Sequence, residues 1–170
     1  MPAIIRPYED SDLEAVRTLF VRINRELAPA HLISAFEDYI ARSLIQEIER
    51  IPAYYGERYG SFWVAIECCK IVGMFGLERV DTISAELRRM YVDAGARHRG
   101  LGRYMLRFAE DVARREHCAV MMLSTSELQS AAIALYYNAG YRLLQEAIGE
   151  NPSNKTVGGE IRRFYFAKNL

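Results

Sequence analysis

The chain has 170 residues, 51% of them hydrophobic and 26% charged, with a formal net charge of zero. That length fits one domain able to bury most of its apolar surface, and the composition is ordinary for a globular protein. Zero net charge excludes wholesale attraction to nucleic acid or a membrane surface, and no nucleic-acid recognition motif is present.

Ile4 to Arg6 reads as a short strand closed by Pro7. Ile4-Ile5 is too short an apolar stretch for a signal peptide, and no apolar run approaches membrane-spanning length. The expected compartment is therefore cytoplasmic. Ser11 and Glu14 are spaced as a capping box, after which Leu13, Val16, Phe20, Ile23 and Leu27 trace one helical face. A second helix after Pro29 carries Ile33, Phe36, Ile40, Leu44 and Ile48 and stops before Pro52. Tyr54 to Gly60 is expected to be a loop. Its aromatics Tyr54, Tyr55 and Tyr59, with Trp63, either line a pocket or pack into the core.

Two strands follow, about Phe62–Cys68 and Lys70–Arg79, as a hairpin whose turn lacks an Asn-Gly or Asp-Gly signature. The cysteines, Cys68, Cys69 and Cys118, lie in apolar strand-like runs and are odd in number, without Cys-x-x-Cys spacing. They are expected to be reduced core residues. His31, His98 and His117 are scattered, so no metal site is expected.

The next segment carries the chemistry. The strand-like Glu86-Leu87-Arg88-Arg89-Met90-Tyr91-Val92 leads into Arg97-His98-Arg99-Gly100-Leu101-Gly102. A helix from Leu101 to about Arg115 follows, with Leu101, Met105, Phe108, Ala109 and Val112 at helical spacing. A strand passing through a basic glycine loop into a helix is an anion cradle, because first-turn N–H groups have no partners inside the helix. From Glu86 to Arg107 six arginines face only Glu86 and Asp93, a local basic patch suited to a small polyanion. Arg103 and Arg107 could instead pair with Glu110 and Asp111 along the helix.

Ala119–Leu123 reads as a buried strand, and Ser126 opens a helix ending near Asn138 with Gly140 as its stop. Tyr141–Ala147 and Ile161–Ala167 read as the last strands, separated by a polar, turn-forming and mobile loop at 149–159. The order β-α-α-β-β-β-α-β-α-β-β indicates one α/β domain over residues 1–170, with a mixed central sheet flanked by helices.

Two stretches, Ala85–Gly102 with its Arg-x-x-Gly-x-Gly loop and Ala132-Ile133-Ala134-Leu135-Tyr136-Tyr137-Asn138-Ala139-Gly140-Tyr141, resemble the motifs of the GNAT superfamily of N-acetyltransferases. With Ser124-Thr125-Ser126 and Gln129, the wording is most similar to camello-type members, although the membrane segment of those proteins is not seen here. The resemblance implies a GNAT-like fold with strands four and five splayed, and acetyl-CoA as co-substrate. It places the pantetheine arm along the backbone of Met90, Tyr91 and Val92. The pyrophosphate would lie on Arg97, His98, Arg99, Gly100, Leu101 and Gly102, with Arg103 at the exit.

It also casts Tyr136 as the acid that protonates the departing sulfur, a role open to a phenol at neutral pH. Glu86 matches the family's base, and the alternative for it is an exposed carboxylate pairing with Arg88. The backbone N–H of Met90 would hold the oxyanion. Gln129 stands where many members carry an Asn that touches the cofactor; Ser126-x-x-Gln129 also reads as a capping box. The implied partners are acetyl-CoA and a primary amine, on a small molecule or a protein, and relatives often form homodimers through the last strands. The competing reading is a non-catalytic acyl-CoA-binding sensor, since fold alone does not fix activity.

Overall fold

The structure is a computed structural model that describes residues 3–148 and 151–170. Its elements are β1 Ile4–Pro7, α1 Leu13–Leu27, α2 Ile33–Gln46, α3 Ile51–Gly56, β2 Ser61–Glu67, β3 Lys70–Arg79 and β4 Ser84–Val92. They continue with α4 Leu101–Arg115, β5 Val120–Ser126, α5 Ser130–Asn138, β6 Arg142–Ala147 and β7 Arg163–Asn169. The strands form one mixed sheet in the order β1-β2-β3-β4-β5-β7-β6, in which β4 and β5 run parallel and the other pairs antiparallel.

Alternation along the strands divides the interior between the two faces of the sheet. Phe62, Val64 and Met74 pack with Val16, Phe20, Ile23, Tyr39 and Ile40 of α1 and α2. Ala65, Phe75, Leu87, Met121 and Phe166 pack on the other face with Met105, Ala109 and Val112 of α4 and Tyr136 of α5. The expected fold class therefore holds, and α4 has the bounds that its apolar spacing indicated.

Several local expectations are corrected. The reciprocal contact before α1 is made by Glu9 and Asp12, with the Glu9 amide donating to the Asp12 carboxylate at 2.9 Å, not by Ser11 and Glu14. Arg6 holds that carboxylate in place at 2.7 and 2.8 Å. Pro52 begins a helix instead of ending one: it lies in the first turn of α3, where a missing N–H costs nothing, and Tyr54 and Tyr55 are buried on that helix. Tyr59 is exposed, and Trp63 packs on Phe75 and Phe108. Cys68 and Cys69 are exposed at the β2–β3 turn with φ of 49° and 60°; only Cys118 is buried. Two consecutive left-handed residues match a primed turn, the type that suits strand twist, although no Asn or Gly marks it. Glu110 and Asp111 pair with Arg114, not with Arg103 or Arg107.

β4 contains the irregularity on which the site depends. From Met74 to Gly76 the register on β3 advances by two residues, whereas on β4 it advances by three, from Tyr91 back to Arg88. The extra residue is a bulge, and Arg89 within it has φ 53°. Opposite the bulge, Gly76 lies under Tyr55: a Cβ there would fall 2.3 Å from the Tyr55 hydroxyl. Tyr55 is 2% exposed and has no room to yield. Gly76→Ala is therefore expected to lower stability by about 1–3 kcal/mol through overpacking. Urea unfolding of the variant beside the parent checks this.

Candidate functional site

The parallel pairing of β4 with β5 runs from Ser84↔Val120 to Leu87↔Leu123 and then ends, while β5 continues along β7 to Ser126. From Arg88 to Val92, β4 keeps only its β3 neighbour, so the two parallel strands part into a wedge. A cleft of about 420 Å³ fills it, lined by Met90, Tyr91 and Val92 on one side and by Leu128, Gln129, Ala132, Leu135 and Tyr136 on the other. Arg97, His98, Gly100, Gly102 and Arg103 close one end.

Gly100 is the N-cap of α4 at φ 82°, and no side chain caps the helix. The first-turn amides thus have no side-chain partner, an arrangement in which a helix start can receive an anion. Gly102 is not demanded by packing, since a Cβ there would meet Leu135 at an ordinary 3.5 Å. Its bare backbone keeps the cleft side clear. Two loop residues stand apart from the cleft. Arg99 pairs with Glu67 at 2.7 Å, and the Leu101 side chain belongs to the core, so only their backbones could serve a ligand. Arg97 donates to the Val92 carbonyl at 2.9 Å, which joins the loop to the end of β4.

Gln129 makes no capping hydrogen bond with its side chain, and α5 starts at Ser130. The Ser126–Gln129 capping box is therefore not formed; Ser126 is still strand, and the Gln129 side chain accepts from the Thr125 hydroxyl at 3.0 Å. Tyr136 packs its ring on Tyr141 and Phe166, and burial alone pushes its phenol well above the ordinary range. It stays protonated at neutral pH. Tyr137, one position on, is half exposed.

A second, smaller cavity of about 80 Å³ adjoins the cleft. It is lined by Glu86, Arg88, Arg89, Ser124, Thr125, Lys155 and Arg163, and it shares Met90, Tyr91, Gln129 and Tyr136 with the first. Glu86 does not pair with Arg88. Its carboxylate accepts from the Lys155 ammonium at 2.8 Å.

Arg88 and Arg89 instead turn inward, which removes them from the basic patch expected for a polyanion. The bulge breaks the alternation of a strand, so these consecutive side chains reach the same acid, Glu47. Arg88 donates to it at 3.1 Å; Arg89 donates twice, at 3.1 and 2.7 Å, and the Tyr55 hydroxyl adds a bond of 2.7 Å. Arg88 also bonds Glu78 and the Tyr54 hydroxyl, and Arg89 bonds the Tyr39 hydroxyl.

Asn154, from the segment expected to be mobile, locks over this cluster. Its side chain donates to Glu47 at 3.2 Å and to Tyr54 at 3.1 Å, and its carbonyl accepts from both arginines. Residues 149 and 150 of that segment lie outside the described residues. Glu47, Asn154 and Lys155 were not singled out by motif or spacing. The one signal in the sequence is two adjacent arginines in a strand that also carries core residues, which demand a buried partner.

Residues 14–141 match the Acetyltransferase (GNAT) family. The chain belongs to the GNAT acetyltransferase family. A probable N-acetyltransferase 14 from Xenopus tropicalis is 34% identical over 119 residues, 69% of this chain and 56% of that protein. The chain spans about half the length of the curated relatives it matches. A GNAT-family acetyltransferase from Staphylococcus aureus superposes with a TM-score of 0.76 at 25% identity, covering 99% of both chains. A putative acetyltransferase from Salmonella typhimurium, solved with acetyl-CoA, shares the fold at a TM-score of 0.74 and 17% identity over 100% of this chain and 95% of that one. Among the described residues of this chain no helix is long and apolar enough to cross a membrane.

Burial pushes the Glu47 carboxyl up, but the charge and hydrogen bonds of Arg89, then Arg88 and Tyr55, outweigh it and hold the group at about 2. A folded value below the unfolded one stabilises fully above about pH 4.5, and that contribution is lost as pH falls toward 2. It amounts to about 3 kcal/mol at neutral pH. Glu47→Gln, which leaves Arg89 without a buried counter-charge and Arg88 with Glu78 alone, is expected to lose about 3–5 kcal/mol at pH 7. The variant's stability should also fall less steeply than the parent's between pH 4.5 and 2, a comparison that denaturant titrations across that window make directly.

Proposed function

We propose that the protein moves an acetyl group from acetyl-CoA to a primary amine that enters the cavity beside Glu86. The observation carrying this reading is that the two cavities meet at Met90, Tyr91, Gln129 and Tyr136. A donor in the larger cleft and an acceptor in the smaller cavity are thereby brought to one point, which removes most of the orientational cost of a two-substrate reaction.

The residues divide the work. The uncapped start of α4, with Arg97, His98 and Arg103, holds the pyrophosphate. Leu128, Ala132 and Leu135 cover the arm, while the free edge of β4 at Met90 to Val92 offers backbone hydrogen bonds. The Met90 N–H binds the carbonyl oxygen as it gains charge. Bound there, the thioester supplies an activated acetyl carbon. Glu86, directly or through one water, takes a proton from the incoming ammonium, and Tyr136 protonates the sulfur as it leaves. Gln129 sits between the cavities, with its carboxamide anchored on Thr125 and its N–H₂ available to the arm.

Two variants test the assignments. Tyr136→Phe keeps the buried ring and removes only the proton, so kcat should fall by about 10²–10⁴ with little change in KM. Free thiol followed over a panel of primary amines reads this. Turnover equal to the parent's would remove Tyr136 from the chemistry. Stabilisation by CoA with no turnover on any amine would favour an acyl-CoA sensor instead. Gly102→Ala should leave the melting temperature unchanged or slightly raised, because alanine suits a helix better than glycine. The same methyl should weaken stabilisation by CoA, and a melting titration with and without CoA separates the two effects.

A further inference from the structure

The cavity beside Glu86 already contains an amine. Lys155 lines it, with its ammonium 2.8 Å from the Glu86 carboxylate and 3.2 Å from that of Glu78. The same cavity is lined by Met90 and Tyr136. At about 80 Å³ it has room for two or three waters beside Lys155, so an external amine competes with the Lys155 ammonium for Glu86. Lys155 needs only to turn within it. Its side chain is 45% exposed, and the backbone behind it is fixed by Asn154 on the buried cluster. The lysine is thus tethered, partly exposed and placed beside the proposed base.

We propose that Lys155 is itself an acceptor: the protein acetylates this side chain within its own molecule. The inference rests on the donor and acid–base roles proposed above. In the step, Glu86 takes one proton from the Lys155 ammonium, and the freed Nζ lone pair attacks the thioester carbonyl carbon. A C–N bond forms and the C–S bond breaks. Tyr136 gives its proton to the leaving sulfur; Nζ sheds its second proton as the amide forms, which restores Tyr136 through solvent. The products are Nε-acetyl-Lys155 and free CoA, with one net proton released by way of Glu86 and no change in oxidation state. The modification removes the cation that joins Glu78 and Glu86. It therefore opens the acceptor cavity and loosens the strap that carries Asn154.

The sequence supplies its own controls, because Lys70 and Lys168 are the other two lysines. Lys70 is exposed at the β2–β3 turn, and Lys168 is paired with Glu110. The full chain is incubated with acetyl-CoA at several protein concentrations, and the acetylation of each lysine is read by mass spectrometry. Lys155 is expected to react at least about tenfold faster than Lys70, at a rate independent of protein concentration, as a tethered acceptor should. Tyr136→Phe should slow it by about 10² or more. A rate at Lys155 no greater than at Lys70, or unchanged in Tyr136→Phe, or rising with protein concentration, overturns the proposal.

Failure of the underlying reading looks different. If panel amines are acetylated while Lys155 stays free, only self-acetylation falls; if neither accepts, the transferase reading falls with it. A readout without acetyl-CoA is also available. Lys155→Gln, which carries the neutral side chain of the modified form, should speed hydrogen exchange over residues 153–158, while Lys155→Arg should not. Equal exchange in the two variants would remove the proposed effect on the strap.

Discussion

Glu47 and the two arginines that reach it are the constraint from which the site follows. A carboxylate with no exposure to water is tolerable only when opposite charge and hydrogen bonds surround it, and here Arg88, Arg89, Tyr55 and Asn154 do so. A regular strand cannot direct consecutive side chains to one acid. The bulge at Arg89 is what permits it, at the expense of a left-handed backbone in a residue with a Cβ. The same bulge turns β4 away from β5, and the wedge between them becomes the cleft.

The cluster also links regions far apart in the chain. Glu47 follows α2, the arginines lie on β4, and Asn154 comes from the connection between β6 and β7. Through Asn154 the segment carrying Lys155 is held above Glu86. A residue pair expected to form a positive surface is instead the buried support for the segment that carries Lys155. The positive charge left for an anion is that of Arg97 and Arg103 near the start of α4.

Local structure is legible in the sequence where one physical requirement dominates. Apolar spacing fixed α4, because a 15-residue amphipathic helix has a single way to bury its face. The loop before it was legible because a left-handed turn and an uncapped helix start favour glycine at those places. Spacing is ambiguous where two local rules compete. Pro52 can end or begin a helix, and the burial of Tyr54 and Tyr55 decided for beginning. Ser126-x-x-Gln129 has the spacing of a capping box, but pairing of β5 with β7 extends the strand through Ser126 and removes it from the helix.

The sequence by itself determined the family and the order of elements, because each rests on contiguous residues whose spacing encodes local geometry. Met90 to Val92, Gly100, Gly102 and Tyr136 could be named from their motifs alone. Only the tertiary structure decided what surrounds Glu86. Glu47, Glu78, Glu86, Asn154 and Lys155 are separated by up to 108 positions, and no periodicity relates them. They meet because buried charges must find partners wherever the fold brings them. That long-range neutralisation is invisible to any rule of spacing.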